Sequence, residues 1–198
     1  MSKNKFKFSK KTLTLLRAIH VYVSMALLMM MIFFAVTGIT LNHPQWFDGE
    51  GVSHTSQAPL PSYLTALPAA ERSQALAHYV ASQYVMDFSH ADISEEEISI
   101  VQKGPGTYKS LLIDLVEGES YFESIEYGLV AILNDLHKGR NSGLAWSWVL
   151  DICAILMLLF SITGALLLIP QQRRMKKSLF YMGLASSCCL AIFFIFTP

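Results

Sequence analysis

The sequence predicts a helical membrane protein with three spans and a small extracytoplasmic α+β insert, and three observations carry that prediction. Three long apolar runs, 21–41, 144–169 and 179–197, contain a single charged residue between them, Asp151. Lysines and arginines crowd against the entries of these runs. The stretch between the first two runs is acidic and changes hydrophobic period several times, as a small folded domain does.

Each run is about long enough to cross a hydrocarbon core of roughly 30 Å at 1.5 Å per residue, the third only just. Hydrophobic residues make up 53% of the chain and charged residues 15%, a balance that excludes an ordinary soluble domain. Charge placement orients the spans. Lys3, Lys5, Lys7, Lys10, Lys11 and Arg17 precede the first run, and Arg173, Arg174, Lys176 and Lys177 separate the second from the third, with no acid in either group. Residues 42–143 hold fourteen acids against five cations. The positive-inside rule then puts the N-terminus in the cytoplasm and residues 44–140 and the C-terminus outside, in a bacterial inner membrane. Trp46, Phe47, Trp146 and Trp148 fall at the outer interface, where an aromatic belt belongs. The first run is longer than a signal-peptide core and no Ala-x-Ala site follows it, so an uncleaved anchor is expected.

In order, the segments read as a basic cytoplasmic tail (1–12), a first span (13–43), an extended Pro- and Ser-rich linker (44–67), an α+β domain (68–138), a second span (144–169), a basic cytoplasmic loop (170–178) and a third span (179–197). Within the domain, a helix is expected from Ala69 to about Met86. Ser89 to Glu97 reads as a polar connection. Strands follow at Ile98–Val101 and Tyr108–Val116 around Lys103-Gly104-Pro105-Gly106, and a further strand after the turn Glu117-Gly118. Glu123 to Leu136 reads as a helix on the spacing of Ile125, Leu129, Ile132, Leu133 and Leu136. The domain offers no nucleophile–base pair and no phosphate loop, and His54, His78 and His90 read as surface residues. Cys153, Cys188 and Cys189 all lie in the apolar runs, and no Cys-x-x-Cys-His occurs, which excludes c-type haem attachment.

Two stretches repeat one another. Arg17-Ala18-Ile19-His20 leads an apolar run that ends in Thr37-Gly38; Leu136-His137-Lys138-Gly139 leads another that ends in Thr163-Gly164. With the helix and hairpin between them, these pieces resemble the PepSY-associated transmembrane family over roughly residues 13–170. The resemblance implies a PepSY-like insert. Some larger relatives are inner-membrane reductases that carry two b-type haems and serve iron release from siderophores; this chain is shorter, with one insert and three spans.

The two spans run in opposite directions, so the repeats form an inverted pair. His20 then falls at the depth of Thr163-Gly164, and His137 at the depth of Thr37-Gly38 and His43. The glycines would admit a helix or a flat cofactor to the backbone. His43 and His137 are the expected axial ligands of one haem b, with Thr37 and Asp151 as supporting polar groups. His20, about 34 Å of helix from His43, is a second candidate that lacks a histidine partner at its own depth. A histidine at membrane depth needs a partner or a ligand, which is why these residues are singled out.

The expected function is therefore electron transfer toward the periplasmic face, for ferric, siderophore or other periplasmic reduction. No flavin or nicotinamide motif is present, so electrons would come from a redox partner or the quinone pool. The alternative is a non-catalytic anchored module that binds or regulates a periplasmic or membrane partner. A lipid bilayer, a redox or membrane-protein partner and a homodimer are the expected contacts, and nucleic acid is not.

Overall fold

The computed structural model describes residues 8–47 and 51–197. Lys3, Lys5 and Lys7 of the basic tail, and residues 48–50 of the expected linker, lie outside them. Three helices are long and apolar enough to cross a membrane: α1 (Lys10–Asn42), α5 (Gly143–Leu168) and α6 (Gln172–Phe196). Helix α1 opens on Ser9, whose hydroxyl accepts the Thr12 N–H and so satisfies one of the free amides of the first turn. It stops at Asn42, because His43 precedes Pro44 and a residue before proline is pushed out of the helical region.

Helix α6 begins at Gln172, earlier than the sequence suggests. Arg173, Arg174, Lys176 and Lys177, expected in a connecting loop, occupy its first two turns. Pro170 ends α5 and the chain turns at once into a segment of good helix formers.

The chain divides into two compact units, Met1–Ile32 with Leu150–Pro198, and Phe33–Val149. The first unit is built of membrane helices. Leu27, Cys153 and Thr163 are its buried side chains among the described residues, and most of α6 is exposed. An apolar surface of that extent belongs against lipid or another helix rather than water.

The second unit holds the α+β domain. Its sheet is antiparallel throughout, in the order β1-β5-β4-β3-β2, with β1 Val52–Pro59, β2 Asp92–Ile93, β3 Glu97–Gly104, β4 Thr107–Asp114 and β5 Glu119–Glu126. Strands β3 to β5 form the expected meander, and β2 adds a short strand within the stretch read as a polar connection. Strand β1 falls inside the stretch read as a linker. It pairs along its whole length with β5, from Val52 opposite Glu126 to Pro59 opposite Glu119. Ser, Thr, His and Gln give it no alternation to read, since seven of its eight residues are exposed and the eighth is half-buried.

Short α2 (Ser62–Ala66) and longer α3 (Ala69–Gln83) cover one face of this sheet. Leu64 from α2, Leu76 and Val80 from α3, Ile98 and Ile100 from β3, and Leu111 and Ile113 from β4 make the core. Period two on the strands and a helical stripe on α3 bring these residues to one layer. The Tyr84 and Ser120 hydroxyls are 2.8 Å apart inside it, and Ser120 Oγ donates to Ala58 O at 3.0 Å, so the buried polar atoms are paired. Burial, with hydrogen bonding and charge from Tyr84, pushes the neighbouring Tyr79 phenol up to about 12. On the sheet, the Tyr121 hydroxyl donates to Glu119 Oε2 at 2.7 Å. That bond holds Glu119 below its ordinary range and pushes Tyr121 up to about 12.

The helix expected from Glu123 is shorter. Glu123 to Glu126 complete β5, and α4 (Leu129–Lys138) starts only after Gly128, whose φ of 84° breaks the chain direction. Ile125 thus serves the sheet, opposite Tyr108 and Ser53.

Candidate functional site

Helix α4 carries His137 and is fixed from three sides within the second unit. At the β3–β4 turn, Gly106 adopts φ 62° and presses on the helix so closely that a Cβ there would lie 2.5 Å from Ile132 Cγ1. The Gly106 N–H donates to Asp135 Oδ2 at 2.9 Å. Thr40 of α1 donates to Asn134 Oδ1 at 2.6 Å, and the Trp146 indole N–H donates to the Leu136 carbonyl at 2.8 Å. Gly139 then ends α4 in the left-handed conformation, its N–H returning to the Asp135 and Leu136 carbonyls. The Leu-His-x-Gly motif is thus a helix terminus that holds its histidine in the last turn.

His137 Nδ1 lies 2.6 Å from Thr37 Oγ1. The Thr37 hydroxyl is also 2.6 Å from the Phe33 carbonyl, one turn back on α1. Two oxygens at that separation need a proton between them, and the hydroxyl has only one. Thr37 therefore donates to Phe33 O and accepts from His137, which fixes the proton on Nδ1 and leaves the Nε2 lone pair free. The Phe34 ring meets the His137 ring edge-on with centroids 5.0 Å apart, and Phe33 stands 6.4 Å away. Thr37 is 1% exposed, so nothing but this histidine and its own helix is available to it.

The same construction recurs inside the first unit. His20 Nδ1 lies 3.0 Å from Thr163 Oγ1, and Thr163 donates to the Leu159 and Phe160 carbonyls at 2.8 and 2.9 Å. Again the Nδ1 proton is fixed and Nε2 is left open. Phe160 stacks on the His20 ring, centroids 4.5 Å apart and planes 13° from parallel. Each glycine of the Thr-Gly pairs faces the Cε1 of its histidine: a Cβ on Gly164 would lie 3.2 Å from His20 Cε1, and one on Gly38 3.9 Å from His137 Cε1. Neither Nε2 has a hydrogen bond among the described residues. The buried unpaired side-chain polar atom there is Ser142 Oγ, so both nitrogens reach the surface of their unit.

The depth matching read from the inverted repeat thus becomes contact: His20 with Thr163-Gly164, His137 with Thr37-Gly38. No hydrogen bond or ring contact joins His43 to His137 among the described residues. The chain turns at Pro44–Trp46 and lays the Trp46 ring on His43, centroids 4.0 Å apart and planes 5° from parallel, while His43 Nδ1 is 3.4 Å from Gln45 Nε2. A flat indole thus packs on the ring that the sequence reading takes as a haem ligand. Asp151 sits on an exposed face of α5 and bonds neither a threonine nor a histidine among the described residues. Sequence reasoning missed Asn134, Trp146 and Phe160. Thr40, one turn beyond Thr37, was the available signal for the α1–α4 contact.

No curated protein and no solved structure matches the chain. A family model described as PepSY_TM-like matches residues 14–198, a span that takes in both histidine–threonine pairs and all three apolar helices but for the first turn of α1. The chain belongs to the PepSY_TM-like family of membrane proteins.

Proposed function

We propose that this protein is a small electron-transfer subunit that holds b-type haem, with His137 and His20 each supplying an axial imidazole. The observation that carries the reading is the pair of histidines whose Nδ1 protons are committed to threonine hydroxyls while Nε2 stays free. An imidazole so backed is held in one orientation, with its other nitrogen available to a metal. The donor chemistry fits haem better than zinc. Zinc needs three or four protein ligands, and no group of three or more His, Cys, Asp or Glu is gathered among the described residues. Haem takes one imidazole per face and apolar walls, which Phe33, Phe34 and Phe160 supply. Bound haem would supply one-electron chemistry between ferric and ferrous iron.

The chain's own residues have distinct tasks in this reading. Thr37 and Thr163 hold the ring planes and tautomers, Gly38 and Gly164 keep room beside Cε1, and the phenylalanines exclude water. Electrons arrive from a redox partner or the quinone pool of a bacterial inner membrane and leave toward the periplasmic side for ferric or other reduction. Purification of the full chain from membranes tests it. We expect a Soret band that shifts on dithionite, reduced in His137→Ala and in His20→Ala and kept in His43→Ala. A folded, colourless preparation that takes up no added haemin would overturn it. The reading as a partner-binding module is favoured by one feature, the long β1 edge with its outer side unpaired among the described residues. That reading predicts the colourless preparation.

A further inference from the structure

We infer that the groove between the β3–β4 turn and the end of α4 binds the phosphate of a phospholipid headgroup, and favours headgroups that also carry a hydroxyl or ammonium donor. A cavity of 620 Å³ lies there, lined by Lys103, Thr107, Tyr108, Tyr127, Asp135 and Arg140 among others. Residues 42–143 contain only five cations against fourteen acids, yet two of the five face this one groove. Among the described residues neither is spent on an acid. Lys103 Nζ stands 5.8 Å over the Tyr108 ring, and the Arg140 side chain has no ion pair among the described residues.

Position names the source of the phosphate. Arg140 lies three residues before Gly143, where the membrane helix α5 begins, and Trp146 is fixed just beyond it. Tryptophan at the start of a span marks headgroup level, so the groove opens where lipid phosphates are concentrated. Chemistry names the rest. An arginine fork beside a lysine point charge matches phosphate oxygens, and the Thr107 and Tyr108 hydroxyls add neutral donors. Asp135 would repel a bare anion. One of its oxygens is taken by the Gly106 N–H, and the other is unbonded among the described residues, able to accept from a glycerol hydroxyl or an ethanolamine ammonium. A choline headgroup offers no such donor. This inference does not rest on the haem reading.

The test uses the full chain in neutral detergent, titrated with dihexanoyl phosphatidylglycerol, phosphatidylethanolamine or phosphatidylcholine, and with inorganic phosphate, followed by calorimetry. Expected are saturable binding of the glycerol and ethanolamine lipids, weaker binding of the choline lipid, and little of inorganic phosphate. Lys103→Gln with Arg140→Gln should weaken the first two about tenfold or more, and Lys103→Arg with Arg140→Lys should restore most of it. Asp135→Asn should narrow the gap between ethanolamine and choline lipids. Unchanged affinity in the double glutamine variant overturns the site. Equal binding of all three lipids, or inorganic phosphate binding as tightly as they do, overturns the headgroup assignment. Circular dichroism of each variant checks that the sheet is intact, which the exposure of both cations favours.

Discussion

Thr37 donates a hydrogen bond to the carbonyl of Phe33 and accepts one from the Nδ1–H of His137, so one buried hydroxyl decides the tautomer of a histidine 100 residues away. Thr37→Ser should keep that arrangement. Thr37→Val should remove the acceptor, release the ring and cost about 1–3 kcal/mol for the donor left without a partner. Nitrogen-15 NMR of the histidines reads the change directly: a dominant Nδ1–H form in the native protein and in Thr37→Ser, a mixture in Thr37→Val.

The two Thr-Gly pairs should respond differently to an added methyl. At Gly38 a Cβ would make ordinary contact with His137 at 3.9 Å, and Gly38→Ala should leave its surroundings in place. At Gly164 the gap of 3.2 Å to His20 is too tight, and the stacked Phe160 blocks retreat of the ring. Gly164→Ala should therefore lengthen the His20–Thr163 bond and destabilise the first unit by about 1–3 kcal/mol. Selective His20 shifts in Gly164→Ala, and none at His137 in Gly38→Ala, are the measurement.

Alkaline titration gives a third check. Two of the eight tyrosines, Tyr79 and Tyr121, should ionise near 12 rather than near 10. A phenol whose folded pKa is raised contributes stability that is complete below its unfolded value near 10 and disappears as pH rises from 10 to 12. Absorbance at about 295 nm should therefore show Tyr79 and Tyr121 ionising late in the folded protein and near 10 on unfolding. Glu119→Gln should bring Tyr121 back toward 10 and leave Tyr79 near 12, since burial is the main cause there.

Asp151 stands about two turns inside α5 with its carboxylate exposed and unbonded among the described residues. A lone carboxylate in a span opposes insertion. Asp151→Leu should favour insertion of the isolated α5 segment by about 2 kcal/mol, the centre-of-span figure reduced for its position near one end. Glycosylation mapping of residues 140–170 within a host protein measures it. An equal inserted fraction for the two sequences would mean that the acid opposes insertion no more than leucine does at this position.

The spans were legible because nothing competes with twenty apolar residues in a row. The common depth of His20 with Thr163-Gly164, and of His137 with Thr37-Gly38, was legible because an inverted repeat fixes which ends lie together. Strand β1 was not, since a polar edge strand buries too little to alternate. The start of α4 was misread because Ile125, Leu129 and Ile132 keep a helical spacing across Gly128, whose backbone breaks it. The place of His43 depended on how Pro44 turns the chain, and a turn that drops Trp46 onto the ring leaves no trace in spacing.

The pairing of β1 with β5 also sets an order of assembly. Val52 meets Glu126 across 74 residues of chain, so the sheet cannot close until residue 126 has been made. By then α1 has long since emerged, with Thr37 waiting for a histidine still to come. Only when β4 and β5 are in place does the Gly106 turn have a helix to grip, and only then is His137 presented. A chain cut short before residue 126 would therefore lack both the full β1–β5 pairing and the helix terminus that presents His137 to Thr37.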